Sequence, residues 1–166
     1  MGINRPRARN ERDESEFSSF YEAELVCQVR HATLILGSRA AAQDVVHEAF
    51  VEVFRSWNRI VEPGPYLQTA VVNRCRDVMR RERVARRHQH LLVSPDVPEV
   101  DAPLYDALAQ LPFNHRAAVV LRFYLQLGEA EIADRLGCAH GSVGPWIRRG
   151  LDRLSKELRT HSEEHR

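Results

Sequence analysis

Apolar residues recur mostly at intervals of three and four along this chain, a spacing that places them on one face of an α-helix. The first apolar stripe runs through residues 17–32 and stops at Gly37. The second covers residues 45–57 and stops at a Pro-Gly-Pro sequence at positions 63–65, and the third covers residues 66–79. The strict alternation that indicates strands is nearly absent, so this half of the sequence is predicted to be helical.

The same helical spacing returns after residue 103. It predicts short helices over residues 104–111, 117–125 and 129–136, and a longer helix from about residue 143 to residue 158. Pro112 ends the first of these helices, and Gly137 stands just past the third, where a left-handed C-cap residue is common. The C-terminal half is therefore also predicted to be helical.

A segment with no apolar period separates the two halves. It contains three prolines between Ser94 and Pro103, and four acids with no base between Ser94 and Asp106. Such a segment is typical of a flexible linker. The predicted fold is therefore all-α, with two small helical domains joined by an acidic, proline-rich linker. The predicted boundaries are a disordered arm at 1–15, a first domain at 16–90, a linker at 91–103 and a second domain at 104–160.

Composition narrows the class of protein. The chain has 166 residues, of which 43% are hydrophobic and 28% charged, which is enough apolar material for packed cores. No apolar run approaches the roughly 20 residues that cross a bilayer, and no hydrophobic segment follows the charged N-terminus. We therefore expect a soluble cytoplasmic protein with no membrane insertion. Three widely spaced cysteines exclude a disulfide framework.

The formal net charge is only +1, but charge is sorted along the chain. Seven arginines lie between Arg74 and Arg87 against two acids, so this segment carries a local charge of +5. A solvated helix end is the simple interpretation of such a run. However, mutual repulsion among the arginines is relieved by a polyanion, so the segment also indicates nucleic-acid binding.

Residues 128–143 have the pattern of a helix-turn-helix. Ala133 provides the small residue where two helices cross, and Gly137 provides the tight turn. The second helix would enter a DNA major groove by its N-terminal end. Arginines at 148, 149 and 153 can then meet phosphates. An ordinary pair of helices with a solvated basic face is the alternative.

Two aromatic residues, Trp57 and Tyr66, flank the Pro-Gly-Pro sequence. Such rings can stack on an unpaired base, although a packing role in the core is equally consistent with the sequence. Asn58, Arg59 and Asn73 lie nearby in the sequence and can form hydrogen bonds with bases or phosphates.

The order of these motifs resembles the extracytoplasmic-function group of bacterial sigma factors. The resemblance rests on DVVHEAFVEVFRSW at 44–57, on PYL-x3-VVNR-x2-D-x2-RR at 65–81, and on the helix-turn-helix. The sequence L-x2-LP-x3-R-x2-V-x-LRFY at 108–124 precedes that last motif. Together they cover residues 16 to 160, nearly the whole chain.

This resemblance implies a transcription initiation factor that binds core RNA polymerase, through its β′ and β subunits, and directs it to promoters. It further implies an anti-sigma partner, and it implies neither a cofactor nor a catalytic or metal site. The candidate residues for docking on polymerase are Asp44, His47, Glu48, Phe50, Val51 and Phe54. Those for the minus-10 promoter element are Trp57, Asn58, Arg59, Tyr66, Asn73, Arg74, Arg76, Arg80 and Arg81. Those for the minus-35 element are Ser142, Trp146, Arg148, Arg149 and Arg153.

The recognition helix departs from the family pattern. Gly144, Pro145 and Trp146 stand where family members carry a lysine, a hydroxyl residue and an arginine. With Ser142 as the N-cap, Pro145 would be the third helical residue and would lose no hydrogen bond, so we expect a helix shortened by about one turn. We expect altered minus-35 reading, with Trp146 contacting a thymine methyl or a protein partner.

Three other functions fit parts of the sequence. A sigma-like protein could dock on polymerase or on an anti-sigma partner without initiating, in keeping with the atypical residues 142–146. A helix-turn-helix repressor leaves residues 44–57 and the acidic linker unexplained. A zinc enzyme would use Cys27 and His31, which share a helix face, but no third and fourth ligand is evident.

Overall fold

A computed structural model describes the backbone of residues 7–86 and 102–164, and the side chains of residues 14–82 and 103–160. The first range contains α1 (Arg7–Leu36), α2 (Arg39–Ser56), a 3-10 turn (Trp57–Arg59) and α3 (Pro63–Arg86). The second contains α4 (Ala102–Ala109), α5 (Phe113–Phe123), α6 (Glu129–Leu136) and α7 (His140–Glu164). The predicted all-α fold is confirmed for these ranges. Most of the predicted linker lies outside the described residues, and its last two residues begin α4.

Helix α1 extends further toward the N-terminus than the sequence predicts. It begins at Arg7, so the backbone of residues 7–15 continues the helix where we predict an arm. Oppositely charged residues stand four apart in this segment, at Arg9 and Asp13 and again at Arg12 and Glu16. Such spacing favours a helix, and extending a helix that packing has already nucleated costs little.

The α1–α2 corner depends on a glycine and a capping serine. Gly37 has a φ of +88°, in the left-handed region, and its N–H donates to the Thr33 carbonyl at 2.8 Å. The next residue, Ser38, is the N-cap of α2, where its Oγ accepts from the Ala41 N–H at 3.2 Å. These two residues turn the chain so that α2 packs back along α1.

The main hydrophobic cluster joins the two predicted domains. Its members from α1 to α3 pack in one continuous cluster with residues from α4, α5 and α7. On the first side they include Ala32, Ile35, Val46, Phe50 and Leu67, and on the second side Leu108, Leu111, Val120 and Leu154. A second cluster fills the helix-turn-helix and also takes in Val72 of α3. The two halves of the chain therefore pack against each other.

A buried arginine strengthens this contact. Arg116 on α5 is only 4% exposed. Its Nη1 donates to the carbonyl of Ile35, in the last turn of α1, at 2.6 Å. Its Nη2 donates to the carbonyl of Ala109, at the end of α4, at 2.5 Å. The C-terminal carbonyls of a helix lack partners within the helix and carry partial negative charge. Arg116 thus satisfies two helix ends, one from each half.

The start of α7 differs from the sequence-based expectation. The helix begins at His140, so Pro145 is its sixth residue rather than its third, and the predicted shortening is wrong. A proline there has no N–H to donate to the carbonyl of Gly141, four residues earlier, and its ring crowds that carbonyl. Gly137, at φ +62°, ends α6, and only Cys138 and Ala139 separate it from the start of α7.

Helices α5 and α7 cross where Gly150 leaves no room for a side chain. A Cβ at Gly150 would lie 2.8 Å from Val119 Cγ2. We therefore predict that Gly150→Ala lowers the free energy of unfolding by about 1–3 kcal/mol, the usual cost of overpacking. Urea unfolding measures this change. The matched control is Gly141→Ala on the same helix, where nothing lies within 4 Å and alanine should be neutral or stabilising. Equal effects of the two changes would contradict the close crossing.

Candidate nucleic-acid and protein interfaces

Helix α2 presents one exposed face that contains most of the predicted docking residues. Asp44, His47 and Glu48 are exposed. Val51 and Phe54 are 48% and 51% exposed, and they stand three residues apart on this face of the helix. The face combines acidic and apolar groups, so it can accept a partner that presents basic and apolar side chains.

Phe50 does not belong to that face. It is 2% exposed, and its ring packs against Tyr21 at a centroid distance of 4.6 Å and against Phe20 at 6.0 Å. The prediction that Phe50 contacts polymerase is corrected here, because a buried ring is not available to a partner. Phe54, one turn later, lies at the edge of the same aromatic cluster and keeps half of its surface exposed.

Trp57 also packs into the aromatic cluster. Its ring centroid lies 5.2 Å from that of Phe17 and 5.2 Å from that of Phe20. The structure therefore favours the core role that the sequence left open, and Trp57 is not an open platform for a base. Its packing instead holds the start of the loop that carries Asn58 and Arg59, both of which are exposed.

Tyr66 and Arg74 on α3 are both held by carboxylates of α2. The Tyr66 hydroxyl donates to Glu52 Oε1 at 3.0 Å, and this hydrogen bond is the main reason that the pKa of Tyr66 is raised. Arg74 Nη1 lies 2.6 Å from Glu48 Oε2, and its Nη2 lies 3.0 Å from Glu52 Oε2. Arg74 is therefore committed to joining α2 and α3. Sequence reasoning missed Glu52, although it stands four residues after Glu48 and so shares its helix face.

Arg76 lies where α3 meets the second half. Its Nη2 donates to the Leu136 carbonyl, at the end of α6, at 2.8 Å, and its Nη1 donates to Asn73 Oδ1 at 3.0 Å. Its guanidinium carbon also lies 5.3 Å from the centre of the Phe113 ring, a cation–π distance. Two of the predicted minus-10 residues, Asn73 and Arg76, are thus engaged within the chain.

The remaining predicted cations of α3 are available to solvent. Arg80 and Arg81 are exposed, and Arg80 makes only a loose contact of 3.4 Å with Asp77. The side chains of Arg83, Arg86 and Arg87 lie outside the described residues. The seven arginines of the basic segment therefore do not act as one group, since Arg74 and Arg76 are used inside the structure.

A groove of about 330 Å³ runs between α3 and α6. From α3 and the loop before it, the lining residues include Glu62, Tyr66, Thr69 and Asn73. Asp134 and Arg135 of α6 line it from the other side, and Arg135 Nε donates to Gln68 Oε1 at 3.1 Å. The helix-turn-helix thus covers part of the surface where the minus-10 residues meet.

Helices α6 and α7 form the predicted helix-turn-helix. The small residue Ala133 is 1% exposed, and it packs with Ile132, Leu136 and Val143. Gly137 ends α6 in the left-handed conformation, as predicted. Trp146 is half-buried against this same cluster, and Ser142 is half-buried one turn earlier.

Three arginines follow on α7, and all of them are exposed: Arg148, Arg149 and Arg153. His115 of α5 lies near two of them. Its pKa is lowered by partial burial first and then by the charges of Arg149 and Arg153. Sequence reasoning missed His115, because its proximity to α7 depends on how α5 and α7 cross.

His31, considered above as a zinc ligand, lies in the contact between α1 and α5. Its ring centroid is 6.4 Å from that of Tyr124, and burial lowers its pKa to about 4. In the part of the chain that the structure describes, no cluster of three or more His, Cys, Asp or Glu could hold a metal ion. Within the same residues, no helix is long and apolar enough to span a membrane.

Two family models match the chain in consecutive segments. The model described as "Sigma-70 region 2" matches residues 21–85, and that described as "Sigma-70, region 4" matches residues 101–154. Among curated proteins, the chain is 32% identical over 149 residues to RNA polymerase sigma factor CarQ of Myxococcus xanthus. That match covers 78% of this chain and 85% of CarQ. The chain is also 32% identical over 151 residues to ECF RNA polymerase sigma factor SigE of Mycolicibacterium smegmatis, a match that covers 81% of this chain and 58% of SigE.

Two solved structures share the fold. One is the sigma factor RpoE in complex with the anti-sigma factor NepR from Bartonella quintana. It aligns with a TM-score of 0.70 at 19% identity, over 85% of this chain and 97% of that one. The other is CnrH in complex with the cytosolic domain of CnrY, with a TM-score of 0.67 at 22% identity, over 89% and 90% of the two chains. At these identities the likeness shows the fold alone.

The different environments of two α3 arginines predict different effects on stability. Arg74→Met removes two ion pairs and leaves Glu48 and Glu52 as like charges one turn apart, so we expect a loss of about 1 kcal/mol. Arg80→Met is the control, because that side chain is 78% exposed, and its effect should stay within about 0.5 kcal/mol. Urea unfolding at low salt and again at about 1 M salt, where charges are screened, measures both. An equal loss in the two variants would contradict the role of Arg74 in joining α2 to α3.

Proposed function

This chain belongs to the sigma-70 family, within its extracytoplasmic-function group, and from that premise we propose how its surfaces carry out its function. It is a transcription initiation factor that binds core RNA polymerase and directs it to promoters. The observation that carries this conclusion is the presence of regions 2 and 4, in that order, in one short chain. The silent, sigma-like alternative is not favoured, because both regions match.

The exposed face of α2 is the proposed docking surface for the β′ subunit of polymerase. Its contacts come from Asp44, His47, Glu48, Val51 and Phe54. The support is physical: two apolar side chains are half exposed, and the carboxylates beside them suit a basic partner. Glu48 reaches this surface although it also contacts Arg74, since two-thirds of its side chain is exposed.

The minus-10 strand is proposed to follow the surface from the loop after α2 to the middle of α3. The contacting residues would be Asn58, Arg59, Tyr66, Asn73, Arg76, Arg80 and Arg81. Exposed cations along a helix suit the backbone of a separated strand. Trp57 would support this surface from beneath through its aromatic packing, and Arg74 would hold α3 against α2 rather than contact DNA.

The helix-turn-helix is proposed to bind the minus-35 element as duplex DNA. Arg148, Arg149 and Arg153 would meet phosphates, and Ser142 would lie near the start of the groove contact. Trp146 would act through packing, because much of its ring already lies against the helix-turn-helix core.

While the two halves are packed together, the chain cannot contact both promoter elements at the same time. The two elements are about 25 base pairs apart, or roughly 85 Å at about 3.4 Å per base pair. Helix α3, the whole face that the helix-turn-helix packs on, is only about 36 Å long at about 1.5 Å per residue. We therefore infer that the halves separate on polymerase. The segment between α3 and α4 spans at most about 50 Å when extended, which allows this.

Three further properties follow from the same premise as proposals. The acidic segment between the domains would thread through polymerase channels that otherwise hold nucleic acid, where it would also meet the β subunit. An anti-sigma factor would be a second partner, as the structure of RpoE in complex with the anti-sigma factor NepR suggests. The chain would work in the cytoplasm, where polymerase is, and would have no catalytic activity of its own.

The docking proposal predicts a loss of polymerase affinity when the apolar pair on α2 is made polar. The double variant Val51→Ser/Phe54→Ser should bind sigma-free core polymerase at least about tenfold more weakly, because burying one such side chain is worth about 1.5–3 kcal/mol. Fluorescence anisotropy with labelled chain measures the dissociation constant. The control is Val26→Ser on α1, which is 76% exposed and lies outside the proposed surface. Unchanged affinity of the double variant would contradict this docking surface.

The separation of the halves predicts that a cross-linked chain does not initiate. Gln68 and Arg135 are hydrogen-bonded across the contact and are absent from the proposed binding residues. Their cysteine variants, in a Cys27→Ser/Cys138→Ala background that keeps buried Cys75, can be joined by a short reducible bismaleimide. Run-off transcription should fall at least tenfold and return after reduction. Full activity of the cross-linked chain would contradict separation, whereas inactivity of the background variant with core polymerase would contradict the function itself.

A further inference from the structure

The outward face of the recognition helix α7 offers little chemistry for reading bases. Val143 points into the core, and at about 100° per residue Gly141, Pro145 and Arg148 lie roughly 140–200° around the helix from it. Gly141 has no side chain, and Pro145 has no side-chain donor or acceptor. Gly144, on the flank that faces α6, adds nothing of its own. Arg148 is therefore the only member of this set with a polar side chain.

A carboxylate from α6 occupies the space that the missing side chain at Gly144 leaves. A Cβ built on Gly144 would lie 3.2 Å from Glu129 Oε2 and 3.3 Å from Glu129 Oε1. Both oxygens of Glu129 thus sit over the second turn of α7, next to the position that the first atom of a side chain at residue 144 would take. Glu129 is exposed, so the carboxylate is open to a ligand in the groove.

The neighbouring glutamate has a different task. Glu131 Oε2 accepts from the Gly128 N–H at 2.8 Å and thereby caps the start of α6. Across the residues that the structure describes, Glu129 makes no hydrogen bond or ion pair of its own. Glu129 is therefore not needed as a cap, and its charge suits the first turn of α6 without engaging its oxygens, which stay open to a ligand.

A carboxylate in the major groove discriminates among bases. It accepts a hydrogen bond from the N4 amino group of cytosine, whereas the O6 and N7 atoms of guanine and the O4 atom of thymine are acceptors that repel it. An acidic side chain gains nothing from phosphates, so only the base can offset its repulsion by the backbone. These properties favour cytosine at one position of the bound element.

We propose that Glu129 is a specificity-determining residue of the helix-turn-helix, which reads a cytosine in the minus-35 element from the place left open by Gly144. This proposal rests on the proposed function, since it requires the second domain to lie on promoter DNA. Gly144 and Glu129 then act together, because Glu129 of α6 supplies the base-reading group that Gly144 of α7 lacks.

The test compares base preferences rather than affinity alone. Holoenzyme is assembled from each variant and sigma-free core polymerase, and it selects from duplex promoters with a randomised minus-35 region. Wild type should prefer cytosine at one position at least about fivefold over guanine and thymine. Glu129→Gln should shift that position toward adenine, whose N6 and N7 atoms suit an amide. Gly144→Ala, whose methyl group would push the carboxylate aside by a few tenths of an ångström, should weaken the preference.

A control variant and a binding measurement separate failure of this proposal from failure of the proposed function. Asp106→Asn removes an exposed acid from α4 and should leave every base preference unchanged. The proposal is overturned if Glu129→Gln selects the same bases as wild type, if it only strengthens binding equally to all sequences, or if wild type shows no minus-35 preference. Co-elution with core polymerase is measured on the same samples, and its absence in wild type would overturn the proposed function instead.

Discussion

The contact between the two halves depends on a buried arginine that bridges the ends of two helices. Arg116 is the only charged residue among the buried side chains that the structure describes, and it donates to carbonyls at the ends of α1 and α4. The bond to Ile35 is buried, so its carbonyl would otherwise lack a partner at a cost of about 1–3 kcal/mol. The arginine therefore keeps α4 and α5 in place within the second half and at the same time holds that half on α1. When the halves separate, water must replace only the bond to Ile35, so the same residue can serve both arrangements.

Three arginines of α3 lie in three different environments, although all of them stand on one helix. Arg74 faces α2 and is neutralised there by two glutamates, Arg76 faces α6 and holds a helix end, and Arg80 faces solvent. At about 100° per residue, Arg76 points roughly 160° away from Arg74, whereas Arg80 lies one turn beyond Arg76 on nearly the same face. The free chain thus retains only part of its basic segment for nucleic acid. Separation of the halves would return Arg76 to the strand-binding surface, while Arg74 would stay committed because its partners belong to the same half.

The sequence predicted the helices well and their neighbours less well, for a physical reason. Periodicity indicates which residues lie near each other on a helix, but it does not give their burial. Phe50 is 2% exposed and Phe54, one turn later, is 51% exposed, although Phe17 of α1 contacts both rings. The same limit applies to Trp57, whose partners on α1 are about 40 residues away in the sequence. The helix-turn-helix could be predicted closely because its signals are local: a small residue, a glycine turn and two short apolar stripes. Helix ends were less predictable, since α7 begins at His140 despite the proline inside it.

Pro145 and Gly144 affect both the stability of α7 and the side chains that it can present to DNA. Pro145 costs the helix a hydrogen bond and Gly144 adds conformational freedom to the unfolded chain, so the second turn of α7 is intrinsically weak. Packing offsets this weakness, because Val143 is fully buried and Trp146 lies against the same cluster. A larger residue at 144 would strengthen the helix but would meet the Glu129 carboxylate at once. The residues of the two helices therefore constrain each other. Residue 144 of α7 has no side chain, and the Glu129 carboxylate of α6 lies beside it.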